Sequence, residues 1–168
     1  MYAAQYPESV DAIVLINSSP KKFEEKDLEK HFKTRKIAIV QGIEALAENK
    51  LRSFDEARDL FKDKKHSDFF RDVFTKKSIE GFVAATIALY TIPENVVDKL
   101  QISNCNVFAI VGSDDDVFMR LLKEAKEEMP RLKLRILEGS DHWVIIEKPD
   151  EMYEILMEFL SNIKDGSK

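Results

Sequence analysis

The sequence has little cysteine, glycine and proline. Among its 168 residues are one cysteine, five glycines and five prolines. Because a single cysteine can form no internal disulfide, a small disulfide-stapled secreted domain is excluded, and a reducing cytoplasmic location is predicted. Low glycine and proline content, together with 44% hydrophobic residues, excludes collagen-like and low-complexity disordered chains. We therefore expect a folded domain with a sizeable core of its own.

Long apolar runs and an excess of one charge are also missing. The longest nearly apolar run, residues 82–90, is too short to span a bilayer, and the N-terminus has no secretory-signal pattern. The 26 basic and 31 acidic residues are mixed along the chain and leave a net charge of -5. These features predict no nucleic-acid partner and no membrane association. The three aspartates at residues 114–116 could bind a metal ion, but the sequence has no second acidic or histidine cluster to supply further ligands. Neither a metal nor a cofactor is therefore predicted.

Three short apolar runs rich in β-branched residues predict strands at residues 12–16, 107–111 and 132–137. Segments with helical spacing separate these runs, which is typical of parallel strands joined by crossover helices. One such helix ends at Pro130, and another follows Pro149. The sequence therefore predicts an α/β fold with a partial doubly wound parallel sheet.

The middle of the chain has a different sequence pattern from its two ends. Charged amphipathic helices are predicted at residues 37–51, 54–61 and 67–74, without a convincing strand. We therefore predict that residues 21–99 form a helical cap or lid inserted into a core of residues 1–20 and 100–168. Since open α/β sheets bind ligands beyond the carboxyl ends of their strands, an insertion there is expected to shape the substrate pocket.

Candidate chemical groups follow two of the predicted strands. Residues 112–116 read Gly-Ser-Asp-Asp-Asp after one strand, and residues 139–143 read Gly-Ser-Asp-His-Trp after the last. Neighbouring parallel strands end at the same edge of a sheet. A carboxylate and the imidazole of His142 at two such ends predict an acid–histidine pair.

These motifs resemble the C-terminal portion of the α/β-hydrolase fold superfamily. The matching pattern is a strand, Gly-x-x-Asp, a helix, a last strand, a Gly-x-x-His-like turn, Glu-x-Pro and a closing helix, here Gly112, Asp115, His142, Glu147 and Pro149. Residues 2–17 similarly resemble the helix after the family's nucleophile and the strand that follows it. The resemblance implies a serine hydrolase that acts on a small carboxylic ester or a related acyl substrate.

The resemblance also implies roles for individual residues. His142 would be the general base, and Asp115 would be the acid that orients it. The neighbouring aspartates 114 and 116 are the alternative acids, and otherwise they would cap the next helix. Asn17 and Ser18 would line the substrate pocket, unless they serve only in the turn. Trp143 would wall the acyl pocket, with simple packing as the alternative.

The family's nucleophile motif, Gly-x-Ser-x-Gly, occurs nowhere in the sequence. In the family this motif lies just before the position matched by Met1, so the chain is expected to be truncated relative to a complete hydrolase. The unpaired edge of strand 12–16 would then pair with the missing N-terminal half or with a second copy in a homo-oligomer.

Two alternatives to a serine esterase stay open at this point. One is a non-catalytic binding or self-assembly module that reuses the half-fold. The other is a family member with dehalogenase, epoxide hydrolase or carbon–carbon hydrolase chemistry, which the identity of the nucleophile would decide.

Overall fold

The structure, a computed structural model, describes residues 2–55, 59–91, 96–102 and 105–166. The chain divides into two compact units, one of Met1–Lys22 with Ile92–Lys168 and the other of Phe23–Thr91. The interpretation of residues 21–99 as a cap stays a prediction. None of the helices in the described ranges combines the length and the apolar character needed to cross a membrane.

The first unit contains a parallel sheet whose described strands are β1 (Ala12–Ile16), β2 (Asn106–Gly112) and β3 (Lys133–Leu137), in the order β1-β2-β3. Ile16 lies opposite Ile110, and Gly112 lies opposite Leu137. The predicted α/β class is confirmed. Each strand lies within one residue of its predicted bounds, because its buried β-branched run makes a clear signal.

The helices of the first unit within the described ranges are α1 (Tyr2–Gln5), α6 (Val96–Ile102), α7 (Asp116–Glu128), α8 (Val144–Glu147) and α9 (Pro149–Gly166), and a short 3-10 turn covers Pro7–Ser9. Proline at the first position of α9 is favourable, because that residue needs no hydrogen bond from its nitrogen.

Side chains of β2 alternate between the two faces of the sheet. Val107, Ala109 and Val111 pack in a buried cluster with residues of α1, α6 and α7. Phe108 and Ile110 face the other way and pack with residues of α8 and α9, where the ring of Phe108 stacks on Phe159 at 4.4 Å. Both faces of the strand are therefore covered. Each large buried apolar side chain stabilises the fold by about 1.5–3 kcal/mol.

The second unit is helical in its described residues, with α2 (Glu25–Gln41), α3 (Ile43–Asp55), α4 (Lys64–Thr75) and α5 (Ile79–Ala88), and 3-10 turns at Asp59–Lys62 and Leu89–Thr91. Its core includes Leu46, Phe61 and Phe70. The helix predicted at residues 37–51 is interrupted, because Gly42 has a φ of 95° and separates α2 from α3. The helix predicted at residues 54–61 falls partly on residues 56–58, which lie outside the described ranges.

Candidate active site

The carboxyl ends of the three described strands bring polar residues together in the first unit. Asn17 follows β1, Asp115 lies three residues after the end of β2, and His142 lies five residues after the end of β3. Because the strands are parallel, these segments leave the sheet at the same edge.

Asp115 and His142 form a hydrogen-bonded pair. Oδ2 of Asp115 lies 2.9 Å from Nδ1 of His142, although 27 residues separate them in sequence. The Asp115 side chain is 8% exposed and the His142 side chain 47%, so the acid is enclosed while the imidazole remains accessible. This is the arrangement in which a carboxylate orients an imidazole and leaves its Nε2 for a reacting group.

Opposing effects act on the pKa of Asp115. Burial raises the pKa, whereas hydrogen bonds from His142 and Asn17, the charge of His142 and the backbone N–H of Phe118 together hold it below its usual range. Asp115 is thus an ionised acceptor at neutral pH. Nδ1 of His142 must then carry the proton in their hydrogen bond, which makes Nε2 the atom that can accept another.

The structure distinguishes the three consecutive aspartates by their contacts. Asp115 binds His142, whereas Oδ1 of Asp114 accepts a bond of 2.8 Å from the hydroxyl of Ser113, and Asp116 is exposed in the first turn of α7. The N-cap of α7 is also Asp115, whose Oδ1 accepts from the backbone N–H of Phe118 at 3.3 Å. The alternative that Asp114 or Asp116 makes this cap is therefore not what the structure shows.

Hydrogen bonds hold the loop of His142 against the loop after β2. The backbone N–H of Gly139 donates to Oγ of Ser113 at 2.8 Å, and the N–H of Asp114 donates to the carbonyl of Ser140 at 2.9 Å. Next to the histidine, the N–H of Asp141 donates to Oε2 of Glu147 at 2.7 Å. These bonds fix the backbone that carries the imidazole.

Two aromatic rings flank the imidazole. The ring of Phe118 stacks on His142 with centroids 5.3 Å apart, and the ring of Trp143 stands nearly perpendicular to it at 5.8 Å. The contact of Phe118 with His142 was not predicted from the sequence. Phe118 lies three residues after Asp115, on the first turn of α7. Trp143 lies beside the imidazole, and its role as a wall of the acyl pocket stays a prediction.

Asn17 is buried beside the acid of the pair. It is 5% exposed, and its Nδ2 donates to Oδ2 of Asp115 at 2.7 Å and to the carbonyl of Asp141 at 3.0 Å. Its amide therefore faces the acid of the pair, and a substrate contact stays a prediction. Ser18 is partly buried beside it, and Oγ of Ser19 accepts from the backbone N–H of Lys21 at 3.1 Å, as expected of a turn.

Within the described ranges, no three or more His, Cys, Asp or Glu side chains are grouped so that they could hold a metal ion.

Comparison with known proteins relates this arrangement to solved structures. No protein-family model matches the chain. A carboxylesterase structure from the ammonia-oxidizing thaumarchaeon Nitrososphaera gargenis is 71% identical, with a TM-score of 0.93 over 99% of this chain and 61% of that one. A thermophilic esterase from Thermogutta terrifontis is 15% identical, with a TM-score of 0.74 over 96% of this chain and 60% of its own.

A curated protein of Haemophilus influenzae with a provisional esterase/lipase description is 23% identical over 164 residues, 92% of this chain and 53% of its own. The chain thus spans about half the length of this curated relative and about three fifths of the two solved structures. The Thermogutta likeness, at its low identity, concerns the fold alone.

Proposed function

We propose that this chain, which belongs to the α/β-hydrolase fold superfamily, provides the acid and the base of a serine carboxylesterase. The observation that carries the proposal is the bond of 2.9 Å between Asp115 and His142 at the carboxyl ends of parallel strands. Carboxylic esters are the proposed substrates, since the relative at 71% identity is a carboxylesterase.

In the proposed mechanism, Nε2 of His142 accepts the proton of a serine hydroxyl as its oxygen attacks the ester carbonyl. The proton then passes to the departing alkoxide, which leaves as an alcohol, and water repeats the sequence to release the acid. Asp115 holds the proton on Nδ1 throughout and stabilises the imidazolium that forms in each step.

We propose that the serine belongs to a segment outside these 168 residues, because no Gly-x-Ser-x-Gly motif occurs among them. In the described sheet, one edge of β1 has no neighbouring strand. A further parallel strand at this edge would lie about 5 Å from β1, with its carboxyl end beside Asn17. A nucleophile that follows such a strand would lie near His142, which favours an N-terminal half over a second copy as the partner at this edge.

The second unit contains a cavity suited to an apolar group. Its volume is about 620 Å³, and its lining includes Phe74, Phe82, Ala85 and Leu89. Cavities of this size with mainly apolar walls are typical of small-molecule sites. The predicted role of residues 21–99 as a cap stays a proposal.

A cytoplasmic location is also part of the proposal. Cys105 is 7% exposed, and burial together with the charge of Asp11 raises the pKa of its thiol. A buried protonated thiol reacts slowly. Because it is the single cysteine of the sequence, it fits a reducing compartment such as the cytoplasm.

The proposal is tested with a chimera in which this chain replaces the matching segment of the Nitrososphaera gargenis carboxylesterase. A fluorophosphonate probe, which modifies activated serines, is expected to label the chimera and to leave the 168-residue chain unlabelled. A chimera that folds but does not label would contradict the serine esterase and favour the non-catalytic binding module. Labelling of the chain alone would contradict the placement of the nucleophile outside it.

A further inference from the structure

The side chain of Asn17 connects the two loops that carry the acid and the histidine. Its backbone N–H donates to the carbonyl of Ile110 at 2.9 Å, which anchors the residue to β2. Its amide then donates to Oδ2 of Asp115 at 2.7 Å and to the carbonyl of Asp141 at 3.0 Å. Both partners can only accept, so the orientation of the amide is determined by its surroundings.

Asn17 and His142 share one oxygen of the acid. Oδ2 of Asp115 accepts from both residues, while Oδ1 accepts from the backbone N–H of Phe118. Donors from the end of β1, the first turn of α7 and the histidine loop thus surround one carboxylate. The terminal torsion of aspartate is broad and roughly twofold, so these donors decide which way the carboxylate faces.

The conformation of Asn17 is costly for stability alone. Its φ of 40° is in the left-handed region, which glycine adopts freely and asparagine adopts at a small cost. Its Oδ1 is buried and has no hydrogen-bond partner among the described residues, which costs more. Glycine at this position would avoid both costs. The two amide donors are what asparagine adds in return.

We propose that Asn17 is a positioning residue that holds the carboxylate of Asp115 against Nδ1 of His142 and ties the acid loop to the histidine loop. This role in catalysis rests on the proposed function, whereas the hydrogen bonds themselves do not. The hydrogen bond from Asn17 also contributes to the lowered pKa of Asp115, so its loss leaves the carboxylate easier to protonate.

The test uses NMR on the 168-residue chain, in which no hydrolytic activity is required. Asn17→Gly removes the amide without backbone strain, because glycine accepts a positive φ. Ser19→Gly, two residues along the same loop, is the matched control. Two signals are followed: the carboxyl carbon of Asp115 through an acid titration, and the solvent exchange of the Nδ1 proton of His142.

We expect Asn17→Gly to raise the pKa of Asp115 and to cause loss of the slowly exchanging Nδ1 proton signal, while Ser19→Gly changes neither. An unchanged pKa together with an unchanged Nδ1 proton in a folded Asn17→Gly chain would overturn the proposal. Asn17→Ala is the second variant, since alanine also removes the amide but keeps a Cβ. It should also lose the Nδ1 signal, and retention of that signal would overturn the proposal.

Because these signals come from a chain without a nucleophile, their result is independent of fluorophosphonate labelling. If the NMR test fails, the esterase proposal still stands, but something other than Asn17 must orient Asp115. If labelling fails, the measured effect of Asn17 on Asp115 and His142 still stands, but the chain does not serve an esterase.

Discussion

Gly112 lies directly against the backbone of Ser140: a Cβ built on Gly112 would be 2.6 Å from the carbonyl carbon of Ser140. It would also overlap the carbonyl oxygens of Ser140 and Asp141. The end of β2 and the histidine loop therefore touch backbone to backbone. This contact determines the separation between the loop that carries Asp115 and the loop that carries His142.

Gly112→Ala is expected to destabilise the chain by about 3 kcal/mol or more, because backbone atoms must move to admit the methyl group. Gly139→Ala is the matched comparison: its φ is 66° and no neighbouring atom of the described residues lies within 4 Å of the new Cβ, so only backbone strain of roughly 1–2 kcal/mol is expected. Urea unfolding followed by circular dichroism measures both. Equal losses for the two variants would contradict the close contact.

Asp115 has two functions that substitution can separate. Asparagine also caps helices well, so Asp115→Asn should keep the cap of α7, whereas Asp115→Ala should lose about 1 kcal/mol more in unfolding free energy. Both variants should lower kcat of the chimera on an ester by about ten-thousand-fold, because neither can stabilise the imidazolium by its charge. A chimera that keeps its kcat with asparagine at position 115 would contradict the role of Asp115 as triad acid.

The lowered pKa of Asp115 predicts a pH-dependent stability. The carboxyl titrates lower in the folded chain than in the unfolded chain, where its pKa is about 3.9, so its contribution is fully present above that value. The contribution is lost as the pH falls through the folded pKa. The difference in unfolding free energy between wild type and Asp115→Asn should therefore shrink when urea unfolding is compared at about pH 6 and about pH 2. A difference that stays constant between the two pH values would contradict the lowered pKa of Asp115.

The strands and the approximate location of the pair could be predicted from the sequence, for a physical reason. Buried parallel strands are short apolar runs, and the residues just after them converge at one edge whatever the intervening chain does. Most of the site was therefore predicted from the spacing of Gly112, Asp115, His142 and Glu147. The choice of Asp115 over its two neighbours depended on the family resemblance, and the structure shows the hydrogen bond to His142 that distinguishes it.

The contacts of Asn17 could not be predicted in the same way. Asn17 and Asp115 are 98 residues apart, and their hydrogen bond depends on a positive φ and on the register of β1 against β2. Neither property leaves a pattern in a single sequence. The stacking of Phe118 on His142 likewise depends on where α7 begins, and the uninterrupted helix predicted through Gly42 ignored the positive φ that glycine permits there.

The central claim is that His142 is the base of an ester hydrolase, and the most direct test is the rate at which the chimera hydrolyses p-nitrophenyl butyrate. His142→Gln is compared with His66→Gln, which changes a histidine of the second unit. We predict that kcat falls by about a million-fold for His142→Gln, as when the base of a serine triad is removed, and stays within a few-fold for His66→Gln. A His142→Gln chimera that hydrolyses the ester within tenfold of the unchanged chimera would contradict the account.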